Sequence, residues 1–163
     1  MLYLLIRFLH IASAIWFLGG ILARQIVRTH AKRTDDVRRF AAMSEAAGRI
    51  ESTMVIPGNL AVIVFGVIVS LLIGAPIFGF LQGAERNWLL VSNSILLLGF
   101  LNVPLIFLPR GKLFRAALED ALAKGQMTPE LRAHLDDPVV RIAHTYELVS
   151  MVAIVYLMVF KPF

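Results

Sequence analysis

Four long runs of apolar residues dominate the sequence, and charged residues are concentrated between them. The runs cover residues 2–22, 54–73, 88–108 and 142–160. A helix of about 20 apolar residues crosses a hydrocarbon core about 30 Å thick. The pattern therefore predicts an all-α integral membrane protein, in which a single domain of residues 1–163 forms a four-helix bundle.

The two long connections, residues 24–52 and 110–140, are predicted to be helical. In the first, Thr34-Asp35-Asp36 supplies side-chain oxygens that can cap a helix, and apolar residues follow at helical spacing. That helix is expected to continue into the second span, where Pro57 predicts a kink. In the second connection, Gly125 is predicted to end one helix. Thr128-Pro129 and Asp137-Pro138 are each predicted to begin a helix, with a capping residue followed by proline.

The basic residues predict the orientation of the spans. Seven Lys and Arg residues lie between the first and second spans, and six lie between the third and fourth. The remaining connection contains Arg86 alone. Because connections rich in Lys and Arg stay in the cytoplasm, both termini are expected outside. The expected location is the bacterial inner (cytoplasmic) membrane, with several passes.

Composition removes several functional classes. The chain has no cysteine, which excludes disulfides, thiolate metal sites and covalently attached haem. It contains no phosphate-binding glycine loop, hydrolase nucleophile motif or helical His/Glu metal motif. The basic residues behind the net charge of +5 are expected to orient the spans and to meet anionic lipids at the cytoplasmic face. No nucleic acid partner is expected. The first run is too long for a signal peptide and is expected to stay as a helix.

His10 and Arg7 are ionisable residues inside the first apolar run, where polar groups either join helices or take part in chemistry. Arg7 lies one turn above His10 on the same face. An imidazole can ligate the iron of b-type haem, an Arg can pair with a propionate, and Phe17 can pack on the macrocycle. The alternative is that His10 hydrogen-bonds a neighbouring helix while Arg7 reaches the outer headgroups.

A second polar cluster is predicted near the cytoplasmic side. His144 and Glu147 are neighbours on the fourth helix, and Arg49 and Glu51 lie at the start of the second span. These residues are expected to form an ion-paired network, with a proton or metal relay as the alternative. His10 and His144 are expected to differ in height by about 13 Å, which argues against their ligating one haem iron together.

Both ends of the chain resemble a known group of membrane proteins. The segment FLHIASAIWFLGGILARQIVRTHA is similar to the first helix of the HemJ and CopD group. The ending YELVSMVAIVYLMVFKPF is similar to the last helix of HemJ-type protoporphyrinogen oxidases. Over its full length, including VIPGNLAVIVFG and NVPLIFLPRGKL, the chain most resembles an uncharacterised family of predicted four-helix integral membrane proteins that is grouped with HemJ and CopD.

The resemblance implies a b-type haem bound by His10, with Glu147 at the position of the last-helix Glu of HemJ. Two polar groups of HemJ are missing here. Its Trp-x-His-x-Lys stretch is replaced by Trp88-Leu89-Leu90-Val91-Ser92, and its Arg before the last-helix Glu is replaced by Ala143. These differences count against the oxidase activity and less against haem binding, and no catalytic residue is assigned.

Three functions remain open from the sequence. The first is a membrane protein that binds b-type haem through His10 and acts in redox chemistry. The second is a copper- or metal-handling protein of the CopD kind, with ligands among His10, His144, Met54 and Met151. The third is a non-catalytic scaffold or subunit whose polar residues serve helix packing. For all three functions, the expected partners are the lipid bilayer and either a second copy of the chain or another membrane protein.

Overall fold

The computed structural model describes residues 1–163, and every regular element in it is helical. Four candidate spans are long and apolar enough to cross a membrane, at Leu2–Ala31, Val37–Leu72, Trp88–Lys124 and Pro129–Phe160. The all-α class and the four spans predicted from the sequence are confirmed, and the architecture is consistent with a four-helix membrane bundle. Each candidate span continues past its apolar run into a helical connection.

The chain divides into two compact units, Met1–Ala75 and Pro76–Phe163. Each unit contains two of the four candidate spans. The single domain expected from the sequence stays a prediction.

The first unit is a helical hairpin. Helix α1 (Leu2–Ala31) packs against a second rod formed by α2 (Val37–Ile50), a π-helical turn (Glu51–Val55) and α3 (Ile56–Leu72). With 30 residues, α1 is about 45 Å long, which exceeds the hydrocarbon core of about 30 Å. The hairpin is therefore longer than the hydrocarbon core requires.

The second unit contains the remaining four α-helices. Helix α4 (Trp88–Asn102) continues through a π-helical turn (Val103–Phe107) into α5 (Leu108–Lys124), which packs against α6 (Pro129–Leu135). Helix α7 (Pro138–Phe160) returns and packs against α4. A short 3₁₀ helix (Gly79–Gln82) precedes α4.

The helix boundaries in the connections follow the predicted capping signals. The side chain of Asp36 accepts hydrogen bonds from two backbone amides at the start of α2. Thr128 and Asp137 cap α6 and α7 in the same way, each followed by proline. Gly125 ends α5 in the left-handed conformation, with φ of 67°. These predictions are confirmed.

Both long rods contain a π-helical turn that ends two residues before a proline. The turn Glu51–Val55 precedes Pro57, and the turn Val103–Phe107 precedes Pro109. Proline has no N–H, and its ring crowds the carbonyl group four residues earlier. A widened turn relieves that conflict while the rod continues. The structure therefore places a π-helical turn next to Pro57, where the sequence predicts a kink.

Candidate functional site

His10 is hydrogen-bonded from α1 to the backbone of α3. Its Nδ1 donates to the carbonyl oxygen of Val62 at 3.0 Å. Because a carbonyl oxygen can only accept, in the neutral imidazole this bond places the ring proton on Nδ1 and leaves a lone pair on Nε2. The residue is only partly buried. The ring is therefore fixed in one tautomer with its second nitrogen available as an acceptor or ligand.

Gly66 on α3 makes room for this imidazole. A Cβ at position 66 would lie 3.0 Å from Cε1 and 3.2 Å from Nδ1 of His10. Carbon atoms are normally about 3.5–4.0 Å apart at optimal contact. A methyl group at position 66 would consequently push the ring by a few tenths of an ångström and disturb its hydrogen bond with Val62.

Two further glycines bring α1 close to the second rod, Gly20 at the π-helical turn and Gly58 at α3. A Cβ at Gly20 would lie 2.7 Å from Cβ of Met54, and one at Gly58 would lie 3.0 Å from Cα of Phe17. Small residues allow helix backbones to approach closely in membranes, where van der Waals packing drives association. This glycine-lined contact positions His10 opposite Val62.

Arg7 and Phe17, the other two residues predicted to contact haem, differ in accessibility. Arg7 is exposed, so its guanidinium can meet an anionic group one turn from His10. Phe17 is only 6% exposed and lies at the close contact with Gly58. Its ring therefore offers little surface to a bound macrocycle, and His10 and Arg7 are the accessible members of the predicted set.

An ion pair with a buried guanidinium group joins α1 to the π-helical turn. Arg24, which is 6% exposed, donates to the carboxylate of Glu51. In the sequence, Arg24 is one of the seven basic residues between the first and second spans. Its spacing from Phe17 and Ile21 places all three residues on one face of the helix, which could have predicted that Arg24 is buried with them.

Arg49 and Glu51 do not pair with each other. Arg49 donates to Glu45 at 2.7 Å on the exposed side of α2, and the two side chains are 78% and 65% exposed. Glu51 instead accepts from Arg24. The network expected at the start of the second span is thus two separate ion pairs. Arg49 pairs outward with Glu45, because residues four apart on a helix meet on its surface, and Glu51 pairs inward with Arg24.

His144 and Glu147 do come together on α7. Nδ1 of His144 lies 3.0 Å from Oε2 of Glu147. The imidazole is mostly buried and lies against the ring of Phe107, with 4.7 Å between ring centroids. An imidazole and a carboxylate in this arrangement can share one proton.

The packing of α7 on α4 brings a tyrosine near that pair. Tyr146 donates from its hydroxyl group to the carbonyl oxygen of Ile95 at 2.6 Å. Its ring passes close to Gly99, where a Cβ would lie 3.8 Å from the ring edge. This hydrogen bond across the two helices holds the register of α7 beside the π-helical turn.

The copper ligands considered from the sequence are widely spaced within each unit. Met54 packs at Gly20, which is ten residues from His10 and therefore about 15 Å along α1. His144 and Met151 are seven residues apart, about 10 Å along α7. Both spacings are several times the distance of about 2 Å at which metal ligands bind. The structure contains no group of three or more His, Asp or Glu side chains placed to hold a metal.

Comparisons with known proteins bear on the family of the chain. The model of the family described as "Predicted integral membrane protein (DUF2269)" matches residues 4–162. No curated protein matches, and no solved structure matches. These findings support the integral membrane family expected from the sequence and show no link to HemJ or CopD.

Proposed function

Since the chain belongs to this family of predicted integral membrane proteins, we propose that it binds a b-type haem through Nε2 of His10. The observation that carries the proposal is the hydrogen bond from Nδ1 of His10 to the carbonyl oxygen of Val62. Histidines that ligate a metal almost always donate their other ring N–H to a carbonyl, a carboxylate or water. Such a bond fixes the tautomer and makes the ligating nitrogen more basic.

The chain's own residues have distinct roles in this proposal. Val62 orients the ring, Gly66 provides its space, and Arg7 pairs with a haem propionate. Phe17 is not required, because it is enclosed between helices. When bound, b-type haem supplies one-electron redox chemistry. No second axial ligand and no catalytic residue is assigned.

A second candidate is a scaffold or subunit without a cofactor. The hydrogen bond that suits a ligand also joins α1 to α3, and the glycine-lined contact is the kind that holds membrane helices together. In this alternative, His10 serves packing alone. The partner is then a second copy of the chain or another membrane protein.

The membrane setting belongs to the same proposal. The basic connections face the cytoplasm of a bacterial inner membrane, and both termini lie outside. Arg38 and Arg39 are exposed on α2, where Arg side chains attract anionic headgroups within a Debye length of the surface. We therefore include anionic lipids among the partners.

A haem titration with three variants separates ligation from packing. Full-length protein in mild detergent is titrated with haemin, and the change in absorbance is compared for His10→Ala, His10→Asn and His30→Ala. An Asn amide can still donate to the carbonyl of Val62 but is a poor ligand for haem iron. His30 is the matched control, because its Nδ1 is 2.9 Å from a carbonyl oxygen of its own helix.

The wild-type protein and His30→Ala are expected to saturate with haem, and both His10 variants are expected to lose saturable binding. Arg7→Gln should weaken binding about tenfold, since a hydrogen bond to a charged group contributes about 1.5 kcal/mol. Equal binding by all variants would exclude His10 as the ligand. Absence of binding by folded wild-type protein would leave the scaffold as the function.

A further inference from the structure

The segment between α3 and α4 is apolar for most of its length, although it is not part of a span. Residues 76–87 read PIFGFLQGAERN, and we call them the 76–87 loop. The loop belongs to the second unit and includes the 3₁₀ helix Gly79–Gln82. Its two charged residues, Glu85 and Arg86, are confined to its end next to α4.

The first half of the loop folds back along α4. The amide of Asn93 donates to the carbonyl oxygen of Ile77 at 3.2 Å. Asn93 is five residues beyond Trp88, the first residue of α4, which corresponds to about 8 Å along the helix. Gly79, with φ of 51°, approaches α4 so closely that a Cβ there would lie 3.2 Å from Cβ of Leu90. These contacts place Ile77 and Gly79 beside the first two turns of a membrane-spanning helix.

Most backbone amides in the middle of the loop donate hydrogen bonds within the protein. The amides of Phe78 and Phe80 donate to side chains, those of Gln82 at 2.9 Å and Asn87 at 2.7 Å. Further amides donate to loop carbonyl oxygens, at Gly79, Leu81, Gly83 and Ala84. Irregular backbone at membrane depth is costly unless its polar groups are satisfied internally. The amides of these six residues meet that requirement.

The side chains of the same segment are apolar and exposed. Phe78, Phe80 and Leu81 are 55%, 63% and 68% exposed. At the start of α4, the ammonium group of Lys161 lies 5.2 Å from the ring centroid of Trp88. Trp and Lys side chains are typical of the boundary between headgroups and hydrocarbon. The loop contacts α4 beyond Trp88, on the hydrocarbon side of this boundary. Its exposed apolar side chains therefore lie near that side.

We propose that the 76–87 loop is inserted into the lipid leaflet, with Phe78, Phe80 and Leu81 in contact with lipid acyl chains. The expected occupant is lipid because the loop lies beside the apolar first turns of α4. The amides named above already donate within the protein, so they are not available to pair with a strand of another protein. Glu85 and Arg86 mark the point at which the loop reaches the headgroups. The proposal is independent of haem binding, since its residues belong to the second unit and His10 belongs to the first.

The absence of cysteine from the chain makes the depth of each position measurable. Single-cysteine variants Phe78→Cys, Phe80→Cys and Leu81→Cys of the full chain are labelled with a nitroxide and reconstituted into phosphatidylethanolamine and phosphatidylglycerol vesicles. Power-saturation EPR then compares collisions with oxygen, which partitions into lipid, and with a water-soluble nickel chelate. Leu97→Cys on the exposed side of α4 is the lipid control, and Glu85→Cys is the aqueous control.

The labels at 78, 80 and 81 are expected to collide more often with oxygen than with the nickel chelate, as at 97, whereas the label at 85 shows the reverse. Nickel-chelate collisions at 78, 80 and 81 equal to those at 85 would overturn the proposal, because the loop would project into water. Low collision rates with both reagents would also overturn it, because protein would cover the patch. Unchanged helical circular dichroism establishes that each labelled variant is folded.

Discussion

Gly66 and His10 are matched in shape, since a Cβ at position 66 would lie 3.0 Å from Cε1 of the imidazole. The orientation of the one polar ring at this depth of α1 thus depends on a residue that has no side chain. The hydrogen bond to Val62 at 3.0 Å depends on the same fit. Changes at Gly66 should consequently affect His10 as directly as changes to His10 itself.

Gly66→Ala is expected to lower the free energy of unfolding by about 1–3 kcal/mol, because extra atoms in a packed contact force neighbours to move. Thermal unfolding in detergent measures the loss. Gly48→Ala is the matched control, since a Cβ there meets nothing within 4 Å. That control should be neutral or more stable by up to about 1 kcal/mol. Equal stability of the two variants would show that the ring is not confined by position 66.

Two adjacent glycines on α1 should respond differently to the same substitution. A Cβ at Gly20 would lie 2.7 Å from Cβ of Met54 and 3.3 Å from the backbone nitrogen of Val55, whereas one at Gly19 meets only the flexible end of Met54, at 3.9 Å. Gly20→Ala is expected to destabilise the protein by about 1–3 kcal/mol, and Gly19→Ala to leave it unchanged or more stable. The reverse order, measured by thermal unfolding, would refute the close contact between α1 and the π-helical turn.

The ion pairs Arg24–Glu51 and Arg49–Glu45 should contribute unequally to stability. Glu51→Gln leaves the buried guanidinium of Arg24 without its carboxylate, and we expect a cost of about 1–3 kcal/mol. Fully buried pairs cost about 3–5 kcal/mol when broken, but the side chain of Glu51 is 37% exposed. Glu45→Gln breaks an exposed pair with Arg49 and should cost at most about 1 kcal/mol. Similar losses in chemical denaturation would contradict the buried position of Arg24.

Tyr146→Phe tests the packing of α7 on α4. The change removes a hydroxyl group that donates to the carbonyl oxygen of Ile95 at 2.6 Å. Hydrogen bonds between membrane helices contribute about 0.6 kcal/mol on average and up to about 1.7 kcal/mol, and we expect a loss in this range. Tyr156→Phe is the control, because Tyr156 is 51% exposed. A loss at Tyr156 that equals the loss at Tyr146 would argue against this contact.

The spans and the ends of the connecting helices could be predicted because their signals are local. A run of apolar residues defines a span by its length, and Asp36, Thr128 and Asp137 cap helices through amides two or three residues away. Gly125 ends α5 because glycine readily adopts positive φ. None of these features depends on which helix packs against which.

The candidate site could be predicted only in part. His10 and Arg7 were apparent as ionisable residues in an apolar run, but the hydrogen bond to Val62 depends on the register between α1 and α3. The pairing of Glu51 with Arg24, instead of Arg49, depends on the same register. The fold of the 76–87 loop could not be predicted because Asn93, which donates to Ile77, is 16 residues away in sequence.

The absorption spectrum of protein purified from haem-replete cells tests haem ligation by His10 most directly. Wild-type protein and His10→Asn are prepared side by side in mild detergent, and circular dichroism establishes that both are folded. We expect a Soret band from the wild-type protein and its loss in His10→Asn, with the hydrogen bond to Val62 retained by the Asn amide. Colourless wild-type protein, or an undiminished Soret band in His10→Asn, would contradict haem ligation by His10.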